Sequence, residues 1–308
     1  MPYLRLPFWG LLLILFSACH SESEVPPLAV RIDRTPTGGY ALIGGALEVE
    51  VLPTMGGRIS AVRFGERELM TAFQGEPLQF GSTFWLSPQS DWNWPPPHWL
   101  DLAAYTARTR VDTIEMRSPK DPANQWHVMK ELFIQQADTS LSIRYTLTNI
   151  SDSIRRAAPW EISRVPQRGM FVFPKGENEP KKKSIFPPVD FHTTAGLLWH
   201  QIRPEDTSST ARLSIADGSE GWLAWADQGV IWVKRFDDIA MADQAPGEGE
   251  IPFFISPPQD NFMEIEVQGA YTSLAPGESL QWTVNWKVIS APGKTFTPQL
   301  IAEKVRAL

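Results

Sequence analysis

Asn261–Trp286 reads NFMEIEVQGAYTSLAPGESLQWTVNW, and both ends of it carry the same rhythm. At one end Met263, Ile265 and Val267 alternate with Glu264, Glu266 and Gln268. At the other, Leu280, Trp282, Val284 and Trp286, with Val288 beyond, alternate with Gln281, Thr283, Asn285 and Lys287. A period of two sends successive side chains to opposite faces of an extended backbone, so both ends are predicted strands.

The rhythm recurs through the chain. Leu47, Val49 and Val51 alternate with Glu48 and Glu50, and Leu141, Ile143, Tyr145 and Leu147 with Ser142, Arg144, Thr146 and Thr148. Arg58–Phe64 follows a turn at Thr54–Gly57. Val128–Ile134, Trp222–Ala226 and Val230–Phe236 also read as strands. No long stretch has a period of 3.6 with caps; Pro298–Leu308 alone suits a short amphipathic helix. No composition shift divides residues 28–290. The expectation is all-β: one large antiparallel β-sandwich over residues 30–290, two sheets face to face, with a tail at 291–308.

The N-terminus reads as a targeting segment. Arg5 precedes the apolar run Pro7–Phe16, too short for a mature span, and Phe16-Ser17-Ala18-Cys19 resembles a bacterial lipobox. That resemblance implies a signal peptide at 1–18 and lipid on Cys19, the only cysteine, followed by a flexible tether through residue 29. A membrane is thus one expected partner. The expected location is the bacterial cell envelope, with His20 in place of an inner-membrane Asp pointing to the outer membrane. A formal net charge of −7 argues against nucleic acid. Lys181-Lys182-Lys183 reads as a solvated loop. No phosphate loop, HExxH, GxSxG or EF-hand loop occurs, and no cofactor or metal is expected.

Gly81–Leu100, GSTFWLSPQSDWNWPPPHWL, places five large aromatic residues among short polar ones. Flat rings interleaved with hydrogen-bonding groups suit a sugar, which has apolar C–H faces and a rim of hydroxyls. The same tryptophans could instead cap the end of a sheet core.

Three further pieces carry a family resemblance: MGGRISAVRFGERELM at Met55–Met70, LSIRYTLTNISDS at Leu141–Ser153, and the Glu-x-Glu strand followed by Leu274-Ala275-Pro276-Gly277-Glu278-Ser279. In this order they resemble the galactose mutarotase-like supersandwich group, closest to bacterial members of unknown function with a WPPP stretch and a PWEISRV-type strand. The resemblance implies that fold over roughly residues 30–290. In the group's aldose mutarotases a late-strand Glu is the general base and a His the general acid. By strand position Glu264 matches the base. Glu266, two residues on, shares its face at roughly 7 Å, where like charge would raise one carboxyl. The group's HxYFN-type segment corresponds here to Ala158–Arg164, which has no His, so His98 is the one nearby acid.

The candidate catalytic residues are therefore Glu264, Glu266 and His98. The candidate carbohydrate-binding residues are Trp85, Gln89, Asp91, Trp92, Trp94, Trp160, Glu161 and Arg164, the last two as charged grips on hydroxyls. Three functions follow. The first is a carbohydrate-binding envelope lipoprotein without efficient catalysis. The second is a carbohydrate-active enzyme, an aldose 1-epimerase-like isomerase or a glycoside hydrolase using Glu264 and Glu266. The third is an envelope scaffold whose tryptophans are core; burial of Trp92 and Trp94 with no cleft beside them would favour it.

Overall fold

The computed structural model describes Met1 and residues 29–182, 186–202 and 210–308. The leader, Cys19 and the tether up to Leu28 lie outside the described residues. In chain order the strands are β1 (Val30–Arg34), β2 (Tyr40–Gly44), β3 (Leu47–Leu52), β4 (Arg58–Phe64), β5 (Arg67–Glu68), β6 (Ser82–Ser87), β7 (Thr106–Thr109) and β8 (Thr113–Arg117). Next come β9 (Trp126–Ile134), β10 (Leu141–Asn149), β11 (Arg155–Pro166), β12 (Gly169–Pro174), β13 (Lys181–Lys182), β14 (His192–Thr194) and β15 (Leu197–Ile202). The last are β16 (Arg212–Ala216), β17 (Trp222–Asp227), β18 (Val230–Arg235), β19 (Ile251–Ile255), β20 (Phe262–Gln268), β21 (Thr272–Leu274) and β22 (Ser279–Ser290). Two α-helices among the described residues, α1 (His98–Asp101) and α2 (Pro298–Arg306), complete the list.

The strands form two antiparallel sheets, as the alternation predicts. The first runs β1-β2-β3-β4-β6-β11-β20-β19-β16-β13, with β5 and β21 attached to β4 and β11. The second runs β14-β15-β12-β17-β18-β22-β10-β9-β8-β7. Their inner faces meet in one core. Phe84, Met263, Ile265 and Val267 come from the first sheet, and Val128, Leu132, Ile143, Tyr145, Trp232 and Trp286 from the second.

The outer face of the second sheet is also apolar. Met170, Val172, Ala224, Ile231 and Val233 lie there beneath Ile301, Ala302 and Val305 of α2. Thr297 caps that helix by accepting from the Leu300 N–H at 3.2 Å, and Pro298 takes its first turn. The predicted short helix is therefore a packed covering layer, and residues 291–308 are no loose tail.

Two buried lysines connect the layers. Lys234 on β18 lies 2.9 Å from the Glu161 carboxylate on β11, and neither side chain is exposed. Glu161 also accepts from Tyr145 Oη at 2.6 Å and from Trp286 Nε1 at 2.9 Å. Each oxygen of this carboxylate is thus matched inside the sandwich, which corrects the expectation that Glu161 grips a ligand. Lys130 on β9 reaches across to the turn before β4 and donates to the carbonyls of Gly56 (2.8 Å) and Gly57 (3.0 Å). Both glycines have positive φ, and a Cβ on Gly56 would stand 2.0 Å from the Asp101 carbonyl oxygen. This turn is therefore closed to other residues.

Removing one partner of a buried ion pair leaves an uncompensated charge. Lys234→Met should lower the unfolding free energy in urea by about 3–5 kcal/mol, with a smaller loss for Lys234→Met combined with Glu161→Leu. Lys130 supplies a pH signature. Burial pulls its amine from 10.5 down to about 7, so between those values the unfolded chain binds the extra proton and stability rises with pH. Glu250, pushed up by burial to about 8, acts in the opposite sense between 4.5 and that value. Thermal unfolding scanned above pH 8 should therefore show a rising limb, of slope up to about 1.4 kcal/mol per pH unit, that Lys130→Met flattens.

Candidate functional site

No long helix lies on the outer face of the first sheet among the described residues. Four of its adjacent strands, β6, β11, β20 and β19, form the floor of a cleft of about 480 Å³. Their register decides what faces it. Trp85 pairs with Trp160, Arg164 with Glu264, and Glu264 with Phe254, so these side chains share the outer face. The intervening Phe84, Glu161, Ile265 and Phe253 point into the core.

The cleft has a fixed aromatic side. Trp85 and Trp160 meet edge to face at 5.2 Å, and Trp94 stands against Trp85 at 5.9 Å. Each floor indole is held through its N–H. Trp85 Nε1 donates to Asp101 Oδ1 at 3.0 Å, and Trp160 Nε1 donates to Glu266 Oε2 at 2.7 Å. Trp94 is 60% exposed and overhangs from the segment between β6 and α1. Opposite these rings lie Pro252, Phe254 and Phe262, while Gln79, Gln89 and Asp260 supply polar groups. Gln89 is positioned through its backbone, whose N–H donates to Glu248 Oε1 at 3.0 Å.

Beneath the floor is a buried charge network. Arg58 follows the Gly56-Gly57 turn and lies 2.9 Å from Asp101, both wholly buried. Thr83 Oγ1 also donates to Asp101. Burial alone would raise the Asp101 carboxyl, but Arg58, Thr83 and Arg164 together hold it below its usual value. Burial also brings Arg58 down to about 10, which leaves it charged at neutral pH. Arg164 reaches under Trp85, 5.7 Å from its ring, and pairs with Glu264 at 2.8 Å. Burial raises the Glu264 carboxyl above the ordinary range even against the pull of Arg164. A carboxylate so placed can accept from a hydroxyl, or hold a proton nearer neutral pH than a solvated one.

Of the residues expected from sequence, Trp85, Gln89, Trp94, Trp160, Glu264 and Glu266 line this cleft. Arg164 acts from behind it through Glu264. Trp92 packs behind Trp85 and Trp160 at 5.8 and 6.4 Å, and with Asp91 it lines a different cavity. Glu161 lies on the core side, as corrected above. His98 opens α1 on the exposed surface and does not line the cleft, so it is not placed to serve there as the acid. No His is among the described residues that line the cleft. Sequence reasoning missed Asp101, Arg58, Gln79, Pro252, Phe254, Asp260 and Phe262. The short apolar run IPFFI at 251–255 and the Gly-Gly-Arg turn are signals for Phe254 and Arg58; the loop residues carry none.

Comparison with known proteins follows this architecture. The chain is similar to the Slr1438 protein from Synechocystis sp. PCC 6803, with TM-score 0.60 and 13% identity over 82% of this chain and 96% of that one. It is similar to a galactose mutarotase-like protein from Lactobacillus casei ATCC 334, with TM-score 0.58 and 11% identity over 82% and 100%. A galactose mutarotase-like protein from Clostridium acetobutylicum gives 0.57 and 10% over 86% and 99%. These likenesses show a galactose mutarotase-like fold. No curated protein matches the sequence. Residues 70–289, which include all four floor strands and the Trp-rich segment of the cleft, match a family described as a domain of unknown function, and the chain belongs to that family, DUF4380.

Proposed function

We propose that the protein binds a carbohydrate in the cleft on the outer face of its first sheet. The observation that carries this reading is the make-up of the cleft: indole faces on one side, phenyl rings on the other, and carboxylates and amides between them. A pyranose presents apolar C–H faces to such rings and hydroxyls to such acceptors. The fixed N–H bonds of Trp85 and Trp160 leave their rings preorganised, which reduces the entropy lost on binding. The exposure of Trp94 beside the cleft counts against a scaffold whose tryptophans are all core. The galactose mutarotase-like proteins of similar fold support a sugar as ligand. Attachment through lipid on Cys19 would hold the cleft at the bacterial cell envelope, in the outer membrane on the reading of His20.

A second reading, an aldose 1-epimerase-like isomerase, is favoured by one observation: the Glu264 carboxyl is raised by burial and lies in the cleft. Glu266 and Glu264 would have to supply both base and acid. The binding reading is preferred because Glu264 is already committed to Arg164 and Glu266 to Trp160.

Calorimetry against a panel of soluble saccharides tests the binding reading. At least one should bind, and Trp94→Ala should weaken it about 5- to 20-fold with an unchanged melting temperature, since this ring stacks without supporting the core. Failure of every saccharide to bind would refute the reading. Saturation-transfer NMR on anomers of the bound sugar separates the two functions. Binding alone leaves exchange at the buffer rate in wild type and in Glu264→Gln alike, whereas an acceleration abolished by Glu264→Gln would establish the isomerase.

A further inference from the structure

A second cavity, of about 570 Å³, lies on the other side of Trp92. Trp92 lines this cavity and packs behind Trp85 and Trp160 of the cleft floor, so the wall between cavity and cleft is built of packed indoles. Its walls include three more rings, Trp99, Trp126 and Tyr271. Two polar atoms of the lining are buried without a hydrogen-bond partner among the described residues: Ser87 Oγ and Arg155 Nε. Buried polar atoms are ordinarily paired, so two orphans on one cavity wall point to a ligand as the missing partner.

The neighbouring groups do not supply that partner. Asp121, also on the wall, turns its carboxylate to its own loop, accepting from the N–H groups of Ala123 (2.9 Å) and Gln125 (3.2 Å). Arg156 stacks 4.3 Å from the Tyr271 ring and donates to the Tyr271 carbonyl. Arg155 Nε–H can only donate, and a serine hydroxyl can do either. The cavity therefore offers ring faces, one obligate donor and one adaptable hydroxyl, which again match a ring with C–H faces and many oxygens.

We propose that this cavity is a second saccharide subsite, and that the ligand is an oligosaccharide reaching from the cleft around Trp92. One of its oxygens accepts from Arg155 Nε, and another exchanges a hydrogen bond with Ser87. The proposal rests on the sugar reading of the cleft and extends it to chain length.

The test is titration of the full chain with the mono-, di-, tri- and tetrasaccharides of the gluco, galacto, manno and xylo series. In the series that binds, the trisaccharide should bind at least ten-fold tighter than the monosaccharide. Ser87→Ala with Arg155→Gln should cut that gain below two-fold while keeping the monosaccharide affinity, which also certifies the variant as folded; Arg155→Gln alone gives the same readout if the pair does not fold. Equal affinity at all lengths, or a gain that survives the substitutions, overturns the second subsite and leaves the cleft reading standing. No binding at any length in any series overturns both.

Discussion

A carboxylate with no exposed surface, that of Asp101, holds the cleft side of the molecule together. It receives Arg58 from β4, Thr83 and Trp85 from β6, and it is itself carried by α1. The Gly56-Gly57 turn makes this approach feasible, since any Cβ at Gly56 would collide with the Asp101 backbone. From the opposite sheet Lys130 clamps the same turn through its two carbonyls. The Trp-rich segment is thus fixed at both ends, by β6 before it and by α1 after it. Only its middle, with Trp94 at the tip, is left to solvent. Breaking such a buried pair costs more than a surface bridge ever contributes, so the cleft floor and the fold stand or fall together.

The architecture could be read from the chain because most strands keep one polar face. Strand β9 alternates buried and half-buried residues without a break, and β22 does so along most of its length. These patterns specify extended structure and its inner face at once. Strand β11 is different: from Ala157 to Val165 every residue is buried. With both faces covered, alternation still predicts a strand but no longer says which side is core. Sequence alone therefore leaves open which side Glu161 faces. Its partner Lys234 lies on a strand of the opposite sheet, and nothing local to Glu161 announces it.

The site was legible where chemistry and periodicity coincide. Glu264 and Glu266 stand two apart on a strand, and Trp85 and Trp160 meet because β6 and β11 are neighbours in register. It was not legible where a residue acts through a long-range contact. Asp101 follows an aromatic run in the chain and looks like a helix-end carboxylate; only the Gly-Gly-Arg turn 43 residues earlier gives it a role. His98, three residues before it, has the chemistry of an acid and the wrong position: it is exposed at the start of α1 and outside the cleft lining, whereas Asp101 is buried at the end of that helix. Where the fold's relatives suggested a histidine, the cleft instead holds carboxylates already committed to Arg164 and Trp160.

The molecule is layered as helix, sheet, sheet and aromatic floor, with α2 on one outside and the cleft on the other. This gives the chain a back and a front. Leu308 leaves from the α2 side, separated from the cleft by the full thickness of two sheets packed about 10 Å apart. Cargo or a solid support joined after Leu308 meets the molecule from behind. The aromatic front then faces outward, free to meet polymers too large to diffuse beneath an anchored protein.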